Sequence, residues 1–255
     1  MKLYKRAAAL ILTAATLLSL APPVSAEGDR VTISSAKEFY ALVQNCTRDV
    51  WSQGVTVELT ADLDLSGSDF QPIPIFQGTF HGNGHTIRGI TYDHKGSTLG
   101  LFRTLTESAV VEGLCVEGLL EPQGSASQLG LLAGENYGAI RSCSAKGTVS
   151  GQEDVGGLVG VNGETGRIEG SSSQVQISGV TNVGGVAGLS RGTIQSCSNS
   201  GEIGYQHLGY NVGGIVGLQS GSVLQCSNTG QVWGRKDVGG IAGQFEPNAE
   251  VTYGD

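Results

Sequence analysis

The sequence predicts an all-β fold, a right-handed parallel β-helix in which coils of about 26–30 residues follow an N-terminal capping helix. The first reason is a repeated signature, V-G-G-[L/V/I]-[V/A]-G, at residues 155–160, 183–188, 212–217 and 238–243, with looser copies that start at Leu99 and Leu129. The six starts are 30, 26, 28, 29 and 26 residues apart, a period typical of solenoids. The second reason is glycine, which makes up 41 of the 255 residues and suits a chain with many sharp corners.

Short runs of alternating apolar and polar residues predict strands, because each run covers only three to five residues and a helix needs more. We expect three strands per coil, and the first is the V-G-G-L-V-G run itself. The second opens at an apolar residue and runs into a cysteine or serine, as from Ile168 to Ser171, and the third is a short run around Ile177. Glycines such as Gly147 are expected to turn the chain between the second and third strands.

Stacked coils would place each strand parallel to its equivalent in the next coil, about 4.8 Å away. Parallel crossovers are almost always right-handed, which gives the handedness of the prediction. A β-propeller is the main alternative, but its blades need about 40–50 residues, more than these repeats contain.

Residues 1–26 have the pattern of a secretory signal peptide. Three basic residues, Lys2, Lys5 and Arg6, precede an apolar stretch at 7–20 that is short for a membrane-spanning helix. Small residues then lead to a cleavage site after Ala26. The alternative is an uncleaved membrane anchor. The prediction is therefore an exported protein that does not insert into a membrane after the signal is removed.

The chain is acidic, which bears on its partners. Removal of the signal takes away three basic residues and leaves 12 Lys and Arg against 23 Asp and Glu, a net charge of −11. A negative surface is repelled by phosphate backbones and by anionic lipid, so the composition argues against nucleic acid and membrane surfaces as partners. The charge suits a solvated extracellular surface.

Residues 27–96 differ from the repeats, and we predict that they form an N-terminal cap together with the first strands. Ser35 and Glu38 make a capping box at the start of a short helix, whose apolar face includes Phe39, Leu42 and Val43. The open end of a solenoid exposes unpaired strand edges, and a helix at that end would cover them. Residues 97–245 then form the repeats.

The V-G-G-L-V-G runs resemble the GLUG motif, named for glycine, leucine, any residue and glycine, as in residues 157–160. The segments at 59–65 and 76–87 resemble the leader that commonly precedes such repeats, although His81 stands where the family usually has Asp. The resemblance covers nearly all of residues 29–245. It implies an exported bacterial surface protein with a β-helical stalk or adhesin-like region. Such repeats also occur in IgA-specific metallopeptidases, but their H-E-x-x-H zinc motif is absent from this sequence.

Five cysteines, an odd number, leave at least one thiol unpaired. Cys143, Cys197 and Cys226 recur at one position of the coil, with Ser171 between the first two. Stacking would hold their Cβ atoms about 4.8 Å apart, whereas a disulfide needs about 3.8 Å. We therefore expect a buried ladder of reduced thiols. We expect no zinc site, because neither a CxxC pair nor a nearby histidine accompanies the cysteines.

A polar residue stands before each copy of the signature, and such a column could either bind cations or hydrogen-bond along the solenoid. Stacked Asn and Asp side chains commonly form hydrogen-bonded ladders or cap turns, which is the interpretation that we favour. The residues are Gln128, Asp154, Asn182, Asn211 and Asp237.

Two other polar groups are weaker candidates for ion binding. Asp62, Asp64 and Asp69 lie close together, but not at the spacing of an EF-hand loop, so a calcium site is the less favoured interpretation. His81 and His85 flank a glycine-rich turn, where histidines more often have a structural role. The sequence therefore predicts no metal, no cofactor and no catalytic residue.

Polysaccharide-cleaving enzymes also use β-helices, and they need two carboxylates, or a base with cation support, that meet on one face. The acidic residues of the repeats occupy different coil positions, so an enzyme is the alternative rather than the main prediction. A weak candidate for a ligand surface is the aromatic group of Tyr205, Tyr210 and Trp233, beside a loop extension at 204–210. The acidic residues are Glu135, Glu164, Glu169, Glu202 and Glu246.

The last repeat lacks the pattern of the second strand, and residues 246–255 form a polar exit that we expect to lead into further sequence. An open coil edge needs a cover, so we expect continuation into, or pairing with, further β-helix or C-terminal domains. The overall prediction is a secreted or cell-surface structural or binding module, an adhesin-like stalk without intrinsic catalysis. Its partners would be extracellular glycans or host or matrix proteins. The alternative is a polysaccharide-active enzyme or a non-catalytic region of a larger surface hydrolase or peptidase.

Overall fold

The computed structural model describes residues 30–246 and the backbone of residues 250–253. The predicted signal peptide and its cleavage site after Ala26 lie outside these residues. The described chain winds into a parallel β-solenoid of about eight turns, which confirms the predicted fold class. Within this part of the chain, no helix is long and apolar enough to cross a membrane.

The N-terminal part contains one helix and six strands. They are β1 (Arg30–Ile33), α1 (Ala36–Asn45), β2 (Thr56–Leu59), β3 (Leu63–Asp64), β4 (Ile73–Phe76), β5 (Thr79–His81) and β6 (Thr86–Tyr92). The strands of the repeats follow. They are β7 (Phe102–Leu105), β8 (Val110–Glu112), β9 (Cys115–Leu120), β10 (Ser127–Leu129), β11 (Ala133–Asn136), β12 (Ala139–Arg141), β13 (Ser144–Ser150), β14 (Glu153–Gly156), β15 (Val159–Asn162), β16 (Arg167–Glu169), β17 (Ser172–Ser178), β18 (Thr181–Gly184), β19 (Ala187–Ser190), β20 (Thr193–Gln195), β21 (Ser198–Asn199), β22 (Tyr210–Gly213), β23 (Val216–Gln219), β24 (Ser222–Asn228), β25 (Lys236–Gly239), β26 (Ala242–Phe245) and β27 (Glu250–Tyr253).

Strands at the same position of successive coils pair in parallel and form the four faces of the solenoid. Face one has the order β10-β14-β18-β22-β25, and face two has the order β4-β7-β11-β15-β19-β23-β26. Face three has the order β1-β2-β5-β8-β12-β16-β20-β24, and face four has the order β3-β6-β9-β13-β17-β21-β24. Faces three and four join through β24, and β27 also pairs with β24. The strands of residues 30–92 therefore belong to the same sheets as the repeats.

Each regular coil has four strands, so the prediction of three was wrong. The V-G-G-L-V-G run is split by a corner, because β14 ends at Gly156 and β15 begins at Val159. The predicted second strand is short and ends at Glu169, before Ser171. Conversely, the predicted turn at Gly147 lies inside the seven-residue strand β13.

The glycines of the signature are required by close backbone approach at this corner. A Cβ on Gly156 would come closer than 3.0 Å to the carbonyl oxygen of Val159 across the corner. A Cβ on Gly157 would come closer than 3.0 Å to Ser173 Oγ inside the solenoid and to the carbonyl oxygen of Gly185 in the next coil. Real Cβ atoms essentially never approach so closely, so a larger residue would force the coils apart.

The last glycine of the signature brings faces one and two together. A Cβ on Gly160 would come closer than 3.0 Å to the backbone of Gln128 and Leu129 in the preceding coil. The same glycine in the next copy, Gly188, would meet the backbone of Asp154. Faces one and two therefore pack backbone against backbone along this line, and the apolar interior lies towards faces three and four.

Two residues in most coils adopt the left-handed backbone conformation. One column precedes the signature and includes Asp154 (φ 53°) and Asn182 (φ 54°), residue types that tolerate this conformation. The other column lies between faces three and four and includes Ser142 (φ 50°), Ser196 (φ 53°) and Gln225 (φ 53°). Ser142 and Ser196 turn the chain between faces three and four, whereas Asp154 and Asn182 lie inside the face-one strands β14 and β18.

The interior is filled differently along the solenoid. In the first coils Phe76, Phe80 and Phe102 form an aromatic cluster with ring centroids 5.4–6.2 Å apart. In later coils buried valines, leucines and isoleucines such as Val183 and Ile194 take their place. The apolar core is thus continuous from the N-terminal part into the repeats.

Helix α1 covers the N-terminal end, as predicted. Ser35 is its N-cap, and its Oγ accepts a hydrogen bond from the Glu38 N–H (3.4 Å). The Glu38 carboxylate reaches back to the N–H of Ser34 (2.8 Å), one residue before the expected partner. Phe39 and Leu42 are buried, so the helix closes the core at this end.

Candidate functional site

The candidate ligand surface lies at the corner between faces four and one, near the C-terminal end of the solenoid. Ile203 pairs with Val232 of the next coil, and Val212 pairs with Val238. Nine positions separate Ile203 from Val212, whereas six separate Val232 from Val238, so this corner is three residues longer than the next. The loop extension predicted from the sequence at 204–210 therefore lies at this corner.

The tip of this loop exposes apolar side chains. Leu208 and Tyr205 are 59% and 54% exposed, and Tyr210 is 37% exposed. The loop turns because Gly204 and Gly209 have φ angles of 77° and 92°, which glycine adopts without strain. The Leu208 N–H donates to the carbonyl of Tyr205 (3.3 Å) and closes the turn. Exposed rings of this kind can stack on the apolar face of a ligand.

A cation from the next coil lies over the ring of Tyr210, and a second follows it in the chain. The guanidinium carbon of Arg235 lies 5.9 Å from the centre of the Tyr210 ring, within the range of a cation–π contact. The Arg235 N–H donates to the carbonyl of Gly209 (2.9 Å), which fixes its backbone beside the loop. Lys236 is the register partner of Tyr210. An aromatic ring and two cations therefore meet at this corner of an otherwise acidic protein.

Trp233 contributes differently from the two tyrosines. It is half-buried, and its indole N–H donates to Glu202 Oε1 in the preceding coil (3.1 Å). Its carbonyl lies against Gly204, where a Cβ would clash. The structure thus places Tyr205, Tyr210 and Trp233 at one corner, but it exposes the tyrosines and uses Trp233 to join adjacent coils.

The polar column before the signature forms hydrogen bonds along the solenoid, which supports the structural interpretation of this column. The Asn211 amide donates to Asn182 Oδ1 (2.7 Å), and the Asn182 amide donates to Asp154 Oδ1 (2.8 Å). At the N-terminal end of the column, Gln128 accepts from Thr98 Oγ1 (2.7 Å). Burial raises the pKa of Asp154, although the hydrogen bond from Asn182 opposes this effect.

A second polar column lies inside the solenoid, and the sequence analysis missed it. The Asn136 amide donates to Asn162 Oδ1 (2.8 Å), and the Asn162 amide donates to Ser190 Oγ (3.2 Å). All three are fully buried, and so is Gln219 in the next coil, whose amide atoms have no hydrogen-bond partner among the described residues. A sequence pattern could have indicated this column, because an amide or hydroxyl residue recurs three positions after Ala133 and its equivalents.

A third polar column lies beneath the second glycine of the signature. The Asn199 amide donates to Asn228 Oδ1 (2.8 Å), and each asparagine also accepts from the N–H two residues further on. A Cβ on Gly185 or Gly214 would collide with these two amides. The glycines and the buried amides of the repeat are therefore required together.

The three aspartates near the N-terminus do not converge on one point. Asp62 Oδ1 accepts from the N–H of Thr86 (2.9 Å), and hydrogen bonds lower its pKa. Asp64 accepts from the N–H of Ser66 (3.0 Å) and from Arg88 Nε (3.1 Å). Asp69 is exposed and bonds to neither of the other two. Among the described residues, no group of three or more His, Cys, Asp and Glu side chains could hold a metal ion.

A column of ionisable side chains, which was not predicted from the sequence, follows face three. Its members are register partners in successive coils: Glu58, His81, Glu112, Arg141 and Glu169. The closest pairs are His81 Nδ1 with Glu112 Oε1 (2.7 Å) and Arg141 Nε with Glu169 Oε2 (3.4 Å). Their side chains are partly or well exposed, so the column fits a surface network of ion pairs.

Three of the acidic residues of the repeats have separate surroundings. Glu135 accepts from Gln128 Nε2 (3.1 Å), and Glu202 binds the indole of Trp233. Glu164 lines a shallow cleft at another corner, together with Tyr137 and Arg191.

All five cysteines are free thiols, which confirms the predicted ladder. The Cys197 N–H donates to Cys226 Sγ (3.4 Å), and Cys197 Sγ donates to the carbonyl of Gln195 (3.2 Å). Ser171 Oγ takes the same position and accepts from the Cys143 N–H (3.1 Å). Burial raises the pKa of Cys143 to about 12. A cysteine or serine is suitable here because the corner needs a small side chain that both accepts and donates.

Comparison with protein families now identifies the repeats. The family model described as the GLUG motif matches residues 125–150 and 151–178, two adjacent coils. These coils are GLUG repeats. The matched stretches contain the corner at Gly157 and the left-handed Asp154, so the GLUG signature corresponds to the packing described above.

Two relatives share part of this sequence. Halomucin from Haloquadratum walsbyi is 36% identical over an alignment of 119 residues, and the match covers 40% of this chain and 1% of that protein. A candidate Gly-rich membrane protein from Evansella cellulosilytica is 34% identical over an alignment of 96 residues, and the match covers 35% of this chain and 11% of that protein. The chain therefore spans a small part of the length of these curated relatives.

A solved structure shares the fold. It is a candidate immunoglobulin A1 protease from Bacteroides ovatus, with a TM-score of 0.54 and 20% sequence identity. The match covers 86% of this chain and 63% of the other. At this identity the likeness concerns the fold alone.

Proposed function

We propose that this protein is an exported cell-surface GLUG solenoid that acts as an adhesin-like structural and binding module without intrinsic catalysis. The relatives support the location, because one is named as a membrane protein and another as Halomucin. The observation that carries the binding role is the exposed loop at 204–210. Its apolar side chains protrude from a surface where most large apolar groups are buried.

An extracellular glycan is the ligand that the loop fits best. Tyr205 and Tyr210 offer rings that can stack on sugar rings, and Arg235 and Lys236 offer hydrogen-bond donors and positive charge beside them. The nearby cations favour a glycan that carries carboxylate or sulfate groups. Host or matrix proteins are the second class of ligand, which Leu208 would favour because it adds apolar area at the tip.

The interior supports a structural role rather than catalysis. Its volume is filled by aliphatic side chains and hydrogen-bonded amides, and the clefts between coils are shallow. A non-catalytic region of a larger surface hydrolase or peptidase is the alternative, which rests on the fold likeness to the candidate immunoglobulin A1 protease.

The test is a glycan array combined with a polysaccharide-turnover screen of residues 27–255. We expect binding to acidic glycans with no release of reducing ends. Tyr205→Ala and Tyr210→Ala should each weaken binding by at least about tenfold, equivalent to about 1.4 kcal/mol. Tyr137→Ala is the matched control, because this tyrosine is half-buried at a different corner and should leave binding unchanged.

Three results would contradict the proposal. Turnover of any polymer would show an enzyme. Binding that Tyr137→Ala reduces as much as Tyr205→Ala does would place the ligand elsewhere. No binding to glycans or to matrix proteins would leave only a spacer role.

A further inference from the structure

Cys197 and Cys226 occupy the same corner of neighbouring coils. Strands β20 and β21 both pair with β24 at an offset of 29 positions, and the same offset separates the two cysteines, so they lie opposite each other. The Cys197 N–H donates to Cys226 Sγ (3.4 Å), so the second sulfur lies against the residue that carries the first. At the equivalent corner two coils earlier, Cys143 has Ser171 in this place, so a hydroxyl rather than a thiol follows it in the next coil.

The separation of opposite residues permits a disulfide after a small shift of the coils. Neighbouring parallel strands lie about 4.8 Å apart, and disulfides join residues whose Cα atoms are about 4.4–6.8 Å apart. Cβ atoms held at the strand spacing must approach by about 1 Å to reach the spacing of about 3.8 Å in a disulfide. Both thiols are free in this structure, and a bond between them would be strained. Strained disulfides are the more easily reduced ones, so the bond would be reversible.

The two sulfurs differ in exposure and in acidity. Cys226 is 7% exposed, whereas Cys197 is 1% exposed. Hydrogen bonding from the Cys197 side chain lowers the pKa of Cys226, although burial opposes this effect, and the same contact raises the pKa of Cys197. The thiolate is the form that attacks a disulfide, so Cys226 is the first of the two sulfurs to react.

We propose that Cys197 and Cys226 form a reversible disulfide between two coils when the protein meets an oxidant that itself carries a disulfide. The Cys226 thiolate attacks one sulfur of the oxidant and releases the other as a thiol, which leaves a mixed disulfide on Cys226. Cys197 Sγ then loses its proton and attacks Cys226 Sγ, and the second half of the oxidant leaves as a thiol. The protein loses two protons and two electrons, and the oxidant gains them as two thiols.

The bond would join the two coils that form the candidate ligand surface. The 204–210 loop follows Cys197 in its coil, and Arg235 follows Cys226 in the next coil. Oxidation would therefore hold Tyr210 and Arg235 together, and reduction would remove this covalent constraint. Oxidising conditions of this kind are typical outside the cell. The effect on the ligand surface rests on the proposed function, whereas the disulfide itself does not.

The test is a count of free thiols after the folded protein has been incubated with oxidised glutathione at pH 8. Acid stops the exchange, urea unfolds the chain, and N-ethylmaleimide labels the remaining thiols for mass spectrometry. We expect three labelled thiols instead of the five of the reduced protein. Peptide mapping should show one bond, between Cys197 and Cys226. Dithiothreitol should restore all five thiols.

Two serine variants are matched controls. Cys226→Ser keeps a hydrogen-bond acceptor for the Cys197 N–H, as Ser171 does for Cys143, so the fold should be kept. Its four remaining thiols should all stay free, because Cys197 has lost its partner. Cys143→Ser should still lose two of its four thiols, because the reactive pair is intact.

Three results would overturn the proposal. Five free thiols at every concentration of oxidised glutathione would show that the pair does not oxidise in the folded protein. Glutathione that stays attached to Cys226 would show that Cys197 does not reach it. Loss of two thiols in Cys226→Ser would place the disulfide elsewhere. None of these measurements involves a ligand, so failure of this proposal is distinct from failure of the proposed function.

Discussion

Gly185→Ala tests whether close backbone approach is the reason for the GLUG glycines. The added Cβ would come closer than 3.0 Å to the carbonyl oxygen of Gly214 and to the amide of Asn199. Neither neighbour can move freely, because Gly214 belongs to the next coil and Asn199 is buried and bonded to Asn228 (2.8 Å).

The cost follows from these two contacts. Overpacking a rigid core destabilises a protein by about 1–3 kcal/mol. Displacing the Asn199 amide from its buried hydrogen bonds adds about 1–3 kcal/mol. We therefore expect Gly185→Ala to reduce the free energy of unfolding by about 2–6 kcal/mol. At about 2–4 °C per kcal/mol for a chain of this size, that change lowers Tm by about 4–24 °C.

Gly240→Ala is the matched control, since the same change in the last copy meets nothing within 4 Å. Alanine there should be neutral or should stabilise by about 0.4–1 kcal/mol through the unfolded state. Both variants are measured by thermal and urea denaturation at the same low protein concentration. If Gly185→Ala costs no more than Gly240→Ala, close approach is not what the signature glycines provide.

Three further predictions concern buried and charged groups. Gln219→Leu removes two buried amide atoms that have no hydrogen-bond partner among the described residues. Urea unfolding should therefore show a free energy of unfolding about 1–2 kcal/mol higher than that of the unchanged protein. A lower free energy of unfolding would mean that the amide is hydrogen-bonded. Burial raises the pKa of the Cys143 thiol to about 12, so this thiol should not react with a disulfide reagent at pH 8 until urea unfolds the chain. Fast labelling of Cys143 in the folded protein would contradict its burial. Hydrogen bonds from Ser66 and the ion pair with Arg88 lower the pKa of Asp64 to about 2. Because the pKa of Asp64 is lower in the folded chain than the value of about 4 in the unfolded chain, the ionised carboxylate stabilises the fold above pH 4. This stabilisation is lost as the pH falls from about 4 towards 2. Asp64→Asn should therefore flatten the dependence of Tm on pH between about pH 4 and pH 2.

The repeat period and the parallel stacking could be predicted because the aliphatic residues and glycines recur in register. The number of strands could not, because glycine fits both a corner and a strand interior. Gly157 lies in a corner where a strand was predicted, and Gly147 lies in a strand where a turn was predicted. The choice depends on which neighbouring backbone approaches the glycine, and a single coil does not contain that information.

The buried amides were missed for a related reason. Asn136 and Asn162 look like surface residues in a short alternating strand, and only the partner in the next coil makes their burial favourable. The candidate ligand surface was predicted in part. Its loop is longer than its equivalent and Tyr205 is exposed, but the hydrogen bond from Trp233 to Glu202 arises from stacking between coils.

The four corners of the coil differ in whether they contain extra residues. The corner at Gly157 and the corner after face three keep the same length throughout the regular repeats, because glycine contacts and left-handed residues fix them. In the repeats from Phe102 onward, extra residues occur at the other two corners, as at Glu164 and Thr165 and in the 204–210 loop. In the N-terminal part, the corner after face three is itself longer, since five positions separate His81 from Thr86 and three separate Glu112 from Cys115. Within the repeats, insertions therefore follow two lines along the solenoid. A gene for such a protein can acquire new surface loops along these lines while every coil keeps its register with the next.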